Sequence, residues 1–416
     1  MRELFKRIIK DFHQREFLEF TKRELDIPID SKKIISIIGP RRAGKTYFLY
    51  QTISQIPDIT DVLYINFEDD RFTIKKEDLQ EITNAYFELY PNKKTFYLFL
   101  DEIQEIQGWE QFVRRVYDTL TKNIYITGSS AKLLSKEIGT SLRGRAITYE
   151  LYPLSFKEFL VHTNTSQNNI STREQANIKN KFNTYFETGG FPEITFFNEE
   201  LQHKTLQSYS SVMLLRDIIE RYELRNSVAI QAFFERSLRS FAKEISIKKI
   251  YDSLKSQGVA ITRESIYDFI KYFEEAFVLL PLQQHSNKSL PDLKKIYLID
   301  HGFTQLKKYY LSENNGRKLE NMVFLELKRR EQEIYYHKKK HECDFVIKQG
   351  INITQAIQVC YELNEETKQR ELRGLIEACK EHKLKEGLIL THNQEDIITQ
   401  QDITIDIKPV WKWLLE

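Results

Sequence analysis

Polar and apolar positions follow two rhythms along this 416-residue chain. Residues 32–38, 61–69, 95–100 and 123–130 contain short, nearly continuous apolar runs, as in strands of a parallel sheet covered on both faces. Helical spacing lies between them, at 47–53 and about 76–90, and a further strand follows at 146–151. Ahead of these, Leu4, Ile8, Ile9 and Phe12 share one helical face, and a charged segment, 17–26, leads into the first strand. Residues 160–230 read as helices broken by a polar loop at 163–171, with charge pairs at helical spacing across 213–222. The rhythm then changes. Helices at 233–241, 247–258 (closed by Gly258) and 263–276 (capped by Thr262, with Glu264 and Ser265 in its first turn) precede strands at 278–283 and 294–300. The last hundred residues give a helix at 317–330, strands at 334–337, 343–347 and 356–360, a helix at 365–382 and a strand at 387–390.

One turn in this pattern carries chemistry. Gly39-Pro40-Arg41-Arg42-Ala43-Gly44-Lys45-Thr46 separates an apolar strand from a helix that opens with Tyr47. G-x-x-x-x-G-K-T in that setting is a Walker A loop, whose backbone N–H groups and helix amino end cradle phosphates. Residues Gly39 to Tyr47 are therefore the expected nucleotide contacts. Lys45 is expected to reach the β- and γ-phosphates and Thr46 to ligate Mg²⁺.

The strand at 95–100 ends in Asp101-Glu102, a Walker B pair. Asp101 is suited to the Mg²⁺ shell, and Glu102 to polarising the attacking water. The strand at 123–130 ends in hydroxyls, of which Thr127 and Ser129 are the two candidates for sensing the γ-phosphate. Two arginines flank Gly144. Arg143 and Arg145 are candidates for the cation that supports the transferred phosphoryl group, from the same chain or a neighbouring copy, and a solvated basic loop is the alternative.

These motifs carry a resemblance. GPRRAGKT, YLFLDEIQEIQGWE, YITGSSAKLLS, SLRGR and YELYPLSFKEFL, between Gly39 and Phe159, resemble prokaryotic AAA+-type ATPases of the archaeal-ATPase group. Thr188-Gly189-Gly190-Phe191-Pro192-Glu193 also matches that group, where it sits in the helical lid region. The resemblance implies ATP and Mg²⁺ as cofactors, ATP hydrolysis, a cytosolic location and a homo-oligomer as one arrangement.

Composition adds limits rather than a role. The 62 basic and 60 acidic residues nearly cancel, so any nucleic-acid site must be a local patch. Cys343, Cys360 and Cys379 have neither zinc spacing nor an even disulfide set, as expected in a reducing cytosol. No apolar run approaches the ~20 residues of a membrane span, and no signal peptide is expected at Met1. The length suggests two to four domains.

Residues 231–305 have the cadence of a winged helix. Thr262, Arg263, Ser265 and Tyr267 would then face a DNA groove, or the module serves protein contacts. The α-β-β-β-α-β order after residue 306 resembles the PD-(D/E)xK nucleases. That resemblance makes Glu320 and Asp344 metal-binding acids. Where the pattern has acid-x-Lys, this chain has Gln358-Val359-Cys360, so a degenerate, DNA-binding domain is expected ahead of a working nuclease. The run His337-Lys338-Lys339-Lys340-His341 is either a phosphate-holding patch or a solvated hairpin.

The expected fold is α/β: a P-loop ATPase core with a parallel sheet (1–155), a helical lid (156–230), a winged helix (231–305) and an α/β nuclease-like domain (306–416). The expected function is an ATP-hydrolysing protein acting on or with DNA, branched or recombining DNA among the candidates. The alternative is an ATP-dependent signalling switch with a non-catalytic C-terminal domain.

Overall fold

The computed structural model describes residues 1–16, 20–71, 73–129, 142, 144–168, 171–286, 293–310 and 315–416. The chain divides into two compact units, Met1–Leu151 and Tyr152–Glu416.

The first unit runs α1 (Arg2–His13), β1 (Ile34–Ile38), α2 (Lys45–Ile53), β2 (Val62–Asn66), α3 (Leu79–Leu89), β3 (Tyr97–Asp101), α4 (Trp109–Thr119), β4 (Ile124–Gly128) and β5 (Ala146–Glu150). Its five strands are all parallel, in the order β2-β3-β4-β1-β5. The apolar runs are continuous because neighbouring residues serve opposite faces of the sheet. Ile34, Ile65, Leu98 and Ile126 pack with α1, α3 and α4. Ile35, Ile37, Tyr64, Phe99 and Tyr125 pack with Phe48 and Leu49 of α2. Helix α1 buries Phe5 beside Ile8, Ile9 and Phe12, while Leu4 is only half-buried. The strand carrying Thr127 lies between those ending in Lys45's loop and in Asp101.

The second unit begins with α5 (Phe156–His162), α6 (Thr172–Thr188) and α7 (Glu199–Val212), followed by a π-helix at Met213–Glu220. Then come α8 (Ser227–Ser240), β6 (Lys243–Ser246), α9 (Ile247–Ser256), α10 (Arg263–Glu275), β7 (Leu279–Gln283) and β8 (Leu293–Leu298). These three strands form an antiparallel sheet in the order β6-β8-β7. The chain continues with α11 (Asn315–Arg329), β9 (Glu333–Lys338), β10 (Glu342–Gln349), β11 (Asn352–Cys360), α12 (Glu365–Glu381), β12 (Glu386–Thr391), β13 (Asp396–Gln400), β14 (Ile403–Pro409) and α13 (Val410–Trp413). A mixed six-stranded sheet results, ordered β13-β14-β12-β11-β10-β9.

The sequence reading omitted β6, β13 and β14. The last had a usable signal, since Ile403, Ile405 and Ile407 alternate with polar residues and are buried. The Gly189-Gly190 pair has an internal role. Gly189 has φ +83°, and an added Cβ would lie 1.9 Å from Asp300 Oδ1. The Asp300 carboxylate accepts from the N–H groups of Gly190 and Gly302, both at 2.7 Å. Only glycine admits a buried carboxylate so close to its own backbone.

Candidate functional sites

In the first unit, β1 and β3 deliver their ends to one edge of the sheet. The turn after β1 is compact because Gly39 lies against the chain leaving β5, where an added Cβ would sit 2.0 Å from the Leu151 carbonyl oxygen. Buried Arg23 braces the same turn by donating from Nη1 to the Ala43 carbonyl at 2.8 Å. Lys45 and Thr46 open α2 with the loop's backbone curled above them. The Lys45 ammonium is 3.2 Å from Glu102 Oε1 and donates to the carbonyls of Gly39 (3.3 Å) and Pro40 (3.2 Å). Arg41 reaches Glu68 at 2.5 Å and Glu105 at 3.7 Å, whereas Arg42 and Tyr47 are exposed.

Facing the loop, Asp101 is fully buried and richly bonded. Its Oδ2 accepts from the Thr46 hydroxyl at 2.7 Å and from Tyr64 at 2.9 Å, and its Oδ1 accepts from Thr127. The Thr127 oxygen in turn accepts from the Glu102 N–H at 2.9 Å. That bond helps hold Glu102 at φ 52°, a left-handed conformation rare outside glycine. Gln104 Nε2 donates to Glu102 Oε2 at 2.6 Å and lies 3.5 Å from the Ser129 hydroxyl.

The two acids differ in charge preference. Burial and the adjacent Glu102 push the Asp101 carboxyl upward, against the bonds from Thr127, Thr46 and Tyr64. Burial also acts to raise Glu102, but Lys45, Gln104 and Arg41 together hold it below the usual carboxylate range. A hydroxyl and a carboxylate side by side offer the oxygen donors that Mg²⁺ prefers. Thr46 and Asp101 therefore fit a Mg²⁺ site.

Arg145 does not join this group within its own chain. It precedes β5 at the opposite edge of the sheet, its carbonyl accepting from Ile34 N at 2.9 Å. One strand length, roughly 15 Å at 3.3 Å per residue, separates that edge from the loop. There its guanidinium meets Asp118 at 3.2 Å. Arg143 lies outside the described residues.

A second polar cluster is buried in the other unit, and sequence reasoning missed its centre. Glu320 (α11) and Asp344 (β10) do converge, but on Lys295 of β8, with Gln358 (β11) bonded to Asp344 behind them. The Lys295 ammonium, 1% exposed, lies 2.9 Å from Glu320 Oε1, 2.9 Å from Asp344 Oδ1 and 2.8 Å from Glu342 Oε1. Tyr297, two residues along the same face of β8, donates to Glu320 Oε1 at 2.7 Å and stacks on Phe324. The other Asp344 oxygen accepts from Gln358 Nε2 (2.9 Å) and Val359 N (3.0 Å), and Gln358 Nε2 also reaches Glu371 at 2.6 Å. Burial and the Asp344 charge push the Glu320 carboxyl up to about 8. Burial opposes the Lys295 charge, but Asp344, Glu320 and Glu342 keep the ammonium protonated. The cluster borders a cleft of about 760 Å³, rimmed by Arg317, Lys340 and Arg370. Of the basic run, Lys338 is tied to Glu244 at 2.6 Å and Lys339 to Glu381 at 2.7 Å. Among the described residues no helix is long and apolar enough to cross a membrane.

Residues 31–160 match the AAA domain, while 179–308 and 315–413 match two domains of unknown function. An uncharacterised protein of Methanocaldococcus jannaschii is 42% identical over 409 residues, spanning 94% of this chain and 90% of its own length. One from Haemophilus influenzae is 30% identical over 348 residues, spanning 81% and 84%. Among solved structures, Cdc6p of Pyrobaculum aerophilum overlaps 71% of this chain and 90% of its own at 11% identity, with a TM-score of 0.27, too low to support an argument. The chain belongs to the family of these archaeal and bacterial proteins and carries an AAA domain of the P-loop ATPase class in its first unit.

Proposed function

We propose that the first unit binds and hydrolyses Mg-ATP. The observation that carries this reading is the meeting of Lys45 and Thr46, at the amino end of α2, with the buried Asp101-Glu102 pair. Residues 39–47 form the phosphate cradle, with Lys45 leaving Glu102 to pair with the β- and γ-phosphates. Thr46 and Asp101 would hold Mg²⁺, which neutralises charge developing on the phosphates. Freed of Lys45 but still held by Gln104, Glu102 orients and polarises the attacking water. Thr127 acts as a positioning residue, since its hydroxyl is engaged by both acids. Ser129, within reach of Gln104, is the γ-phosphate sensor.

The finer reading is a protein that couples ATP turnover to DNA. It is supported by the helix-strand-helix-helix-strand-strand order from α8 to β8, which is that of a winged helix. The amino end of α10, with Thr262, Arg263 and Tyr267 exposed, is the face such a module offers to DNA. In the second reading, an ATP-driven switch, the C-terminal part is non-catalytic; the lysine buried among its acids favours this reading. ATP turnover measured with and without duplex, single-stranded and branched DNA separates the two. Turnover that depends on Mg²⁺ and weakens in Asp101→Asn supports the site. Stimulation by DNA supports the first reading, and indifference to every DNA supports the switch.

A further inference from the structure

The resemblance to metal-dependent nucleases implies a divalent cation between Glu320 and Asp344, and the residues present do not fit one. Among the described residues, no group of three or more His, Cys, Asp or Glu side chains is arranged to hold a metal. Each Asp344 oxygen already has a donor: Lys295 on Oδ1, and Gln358 Nε2 with Val359 N on Oδ2. Glu320 Oε1 takes both Lys295 and Tyr297. A third carboxylate at position 358 would add repulsion beside Asp344, whereas the Gln358 amide donates to both Asp344 and Glu371. Both Asp344 oxygens and Glu320 Oε1 are thus satisfied by the protein itself.

The occupant is covalently part of the chain. Its charge lies within 2.9 Å of three carboxylates contributed by α11 and β10, while its backbone belongs to the three-stranded sheet. Two further contacts fasten the same strand to α11. Asn321 makes paired bonds with the Leu298 N–H (2.8 Å) and carbonyl (3.0 Å), and Tyr297 stacks on Phe324 with ring centroids 4.0 Å apart. Unlike a loop side chain, Lys295 is thus presented by a strand that is fixed on both sides.

We propose that Lys295 is a tethered cation standing where a divalent metal would sit between Glu320 and Asp344, so that this acid cluster is closed to Mg²⁺ and serves as a joint between the two sheets. The missing acid-x-Lys then follows from the chemistry of the site. With a permanent ammonium between the acids, a neutral amide at Gln358 is the stable partner, and Cys360 has no charge to supply. Removing the ammonium leaves Glu320, Glu342 and Asp344 facing a space that a hydrated divalent ion can enter.

The test is Mn²⁺ binding by the full-length chain, read from the loss of the free-ion electron paramagnetic resonance signal. Wild type is expected to have no Mn²⁺ site that Asp344→Asn removes. Lys295→Ala is expected to gain one site, at least ~10-fold tighter than background, that disappears in Lys295→Ala/Asp344→Asn. An Asp344-dependent site in wild type overturns the proposal, as does a folded Lys295→Ala protein that gains none. If Lys295→Ala does not fold alone, its thermal unfolding with Mn²⁺ or with Na⁺ at equal ionic strength decides. Recovery with Mn²⁺ alone supports the proposal, and a defect that Mn²⁺ does not relieve overturns it.

Discussion

Lys45 and Lys295 are each buried against carboxylates, and the neighbours of each determine what it can do. Lys45 and Lys295 are both almost fully enclosed and both contact a glutamate, at 3.2 Å and 2.9 Å. Lys45 begins a helix behind a curled loop, and its other contacts are two backbone carbonyls. An incoming phosphate can replace those weak contacts. Lys295 sits within a central strand and faces three acids. Extracting it would strand their charge in the interior, where unpaired ions are costly. On the proposed reading, the same residue types give an open phosphate site in one unit and a closed joint in the other.

Glu102→Gln has the largest expected effect on this contrast. It should retain ATP binding while hydrolysis falls by ~10²-fold or more, because the amide cannot act as a base. Lys295→Ala should leave turnover at the wild-type level. Loss of turnover in both variants would dissolve the distinction.

Stability should show the reverse order. Lys295→Ala is expected to cost about 3–5 kcal/mol, the range for breaking a buried pair, read from the denaturant midpoint. Adding Asp344→Asn should recover part of the loss. The two glutamates should also differ in pH response. The Glu320 carboxyl, raised to about 8 in the folded chain, binds a proton that the unfolded chain releases near the ordinary glutamate value of 4.5. Its contribution to stability is therefore present at low pH and fades as pH rises from 4.5 towards 8. Glu320→Gln, an imitation of the protonated form, should flatten the fall of the melting temperature between about pH 5 and 8. Glu102, held low by Lys45, Gln104 and Arg41 against the cost of burial, has the opposite sign. Its stabilisation is present above the ordinary carboxylate range and is lost as pH falls through its lowered value.

The smallest effect is expected at Arg145. Its side chain pairs with Asp118 at the far edge of the sheet. Arg145→Ala should change turnover less than about twofold, the scale of an ordinary surface substitution. A large drop would mean that Arg145 acts on the loop of a neighbouring copy.

The unequal legibility of the two sites has a physical cause. The phosphate loop is contiguous, and its strand-turn-helix setting is written in the residues on either side. Asp101-Glu102 likewise follows an unbroken apolar run. The parallel sheet was readable because strands buried on both faces leave no alternation to misread. Thr127's engagement with both acids was not readable, since it depends on β4 lying beside β3. The second site joins residues 25 and 49 positions apart in separate elements. One signal was present: Lys295 shares a face of β8 with the aromatic Tyr297. An inward lysine requires acids, but spacing alone does not identify them.

Equilibrium binding of Mg-ATP to wild type, Lys45→Ala and Lys295→Ala, measured side by side, tests the central claim most directly. The account predicts tight binding by wild type and Lys295→Ala, and loss of tight binding in Lys45→Ala, whose phosphates have lost their mobile charge. Binding by Lys45→Ala equal to wild type would contradict it.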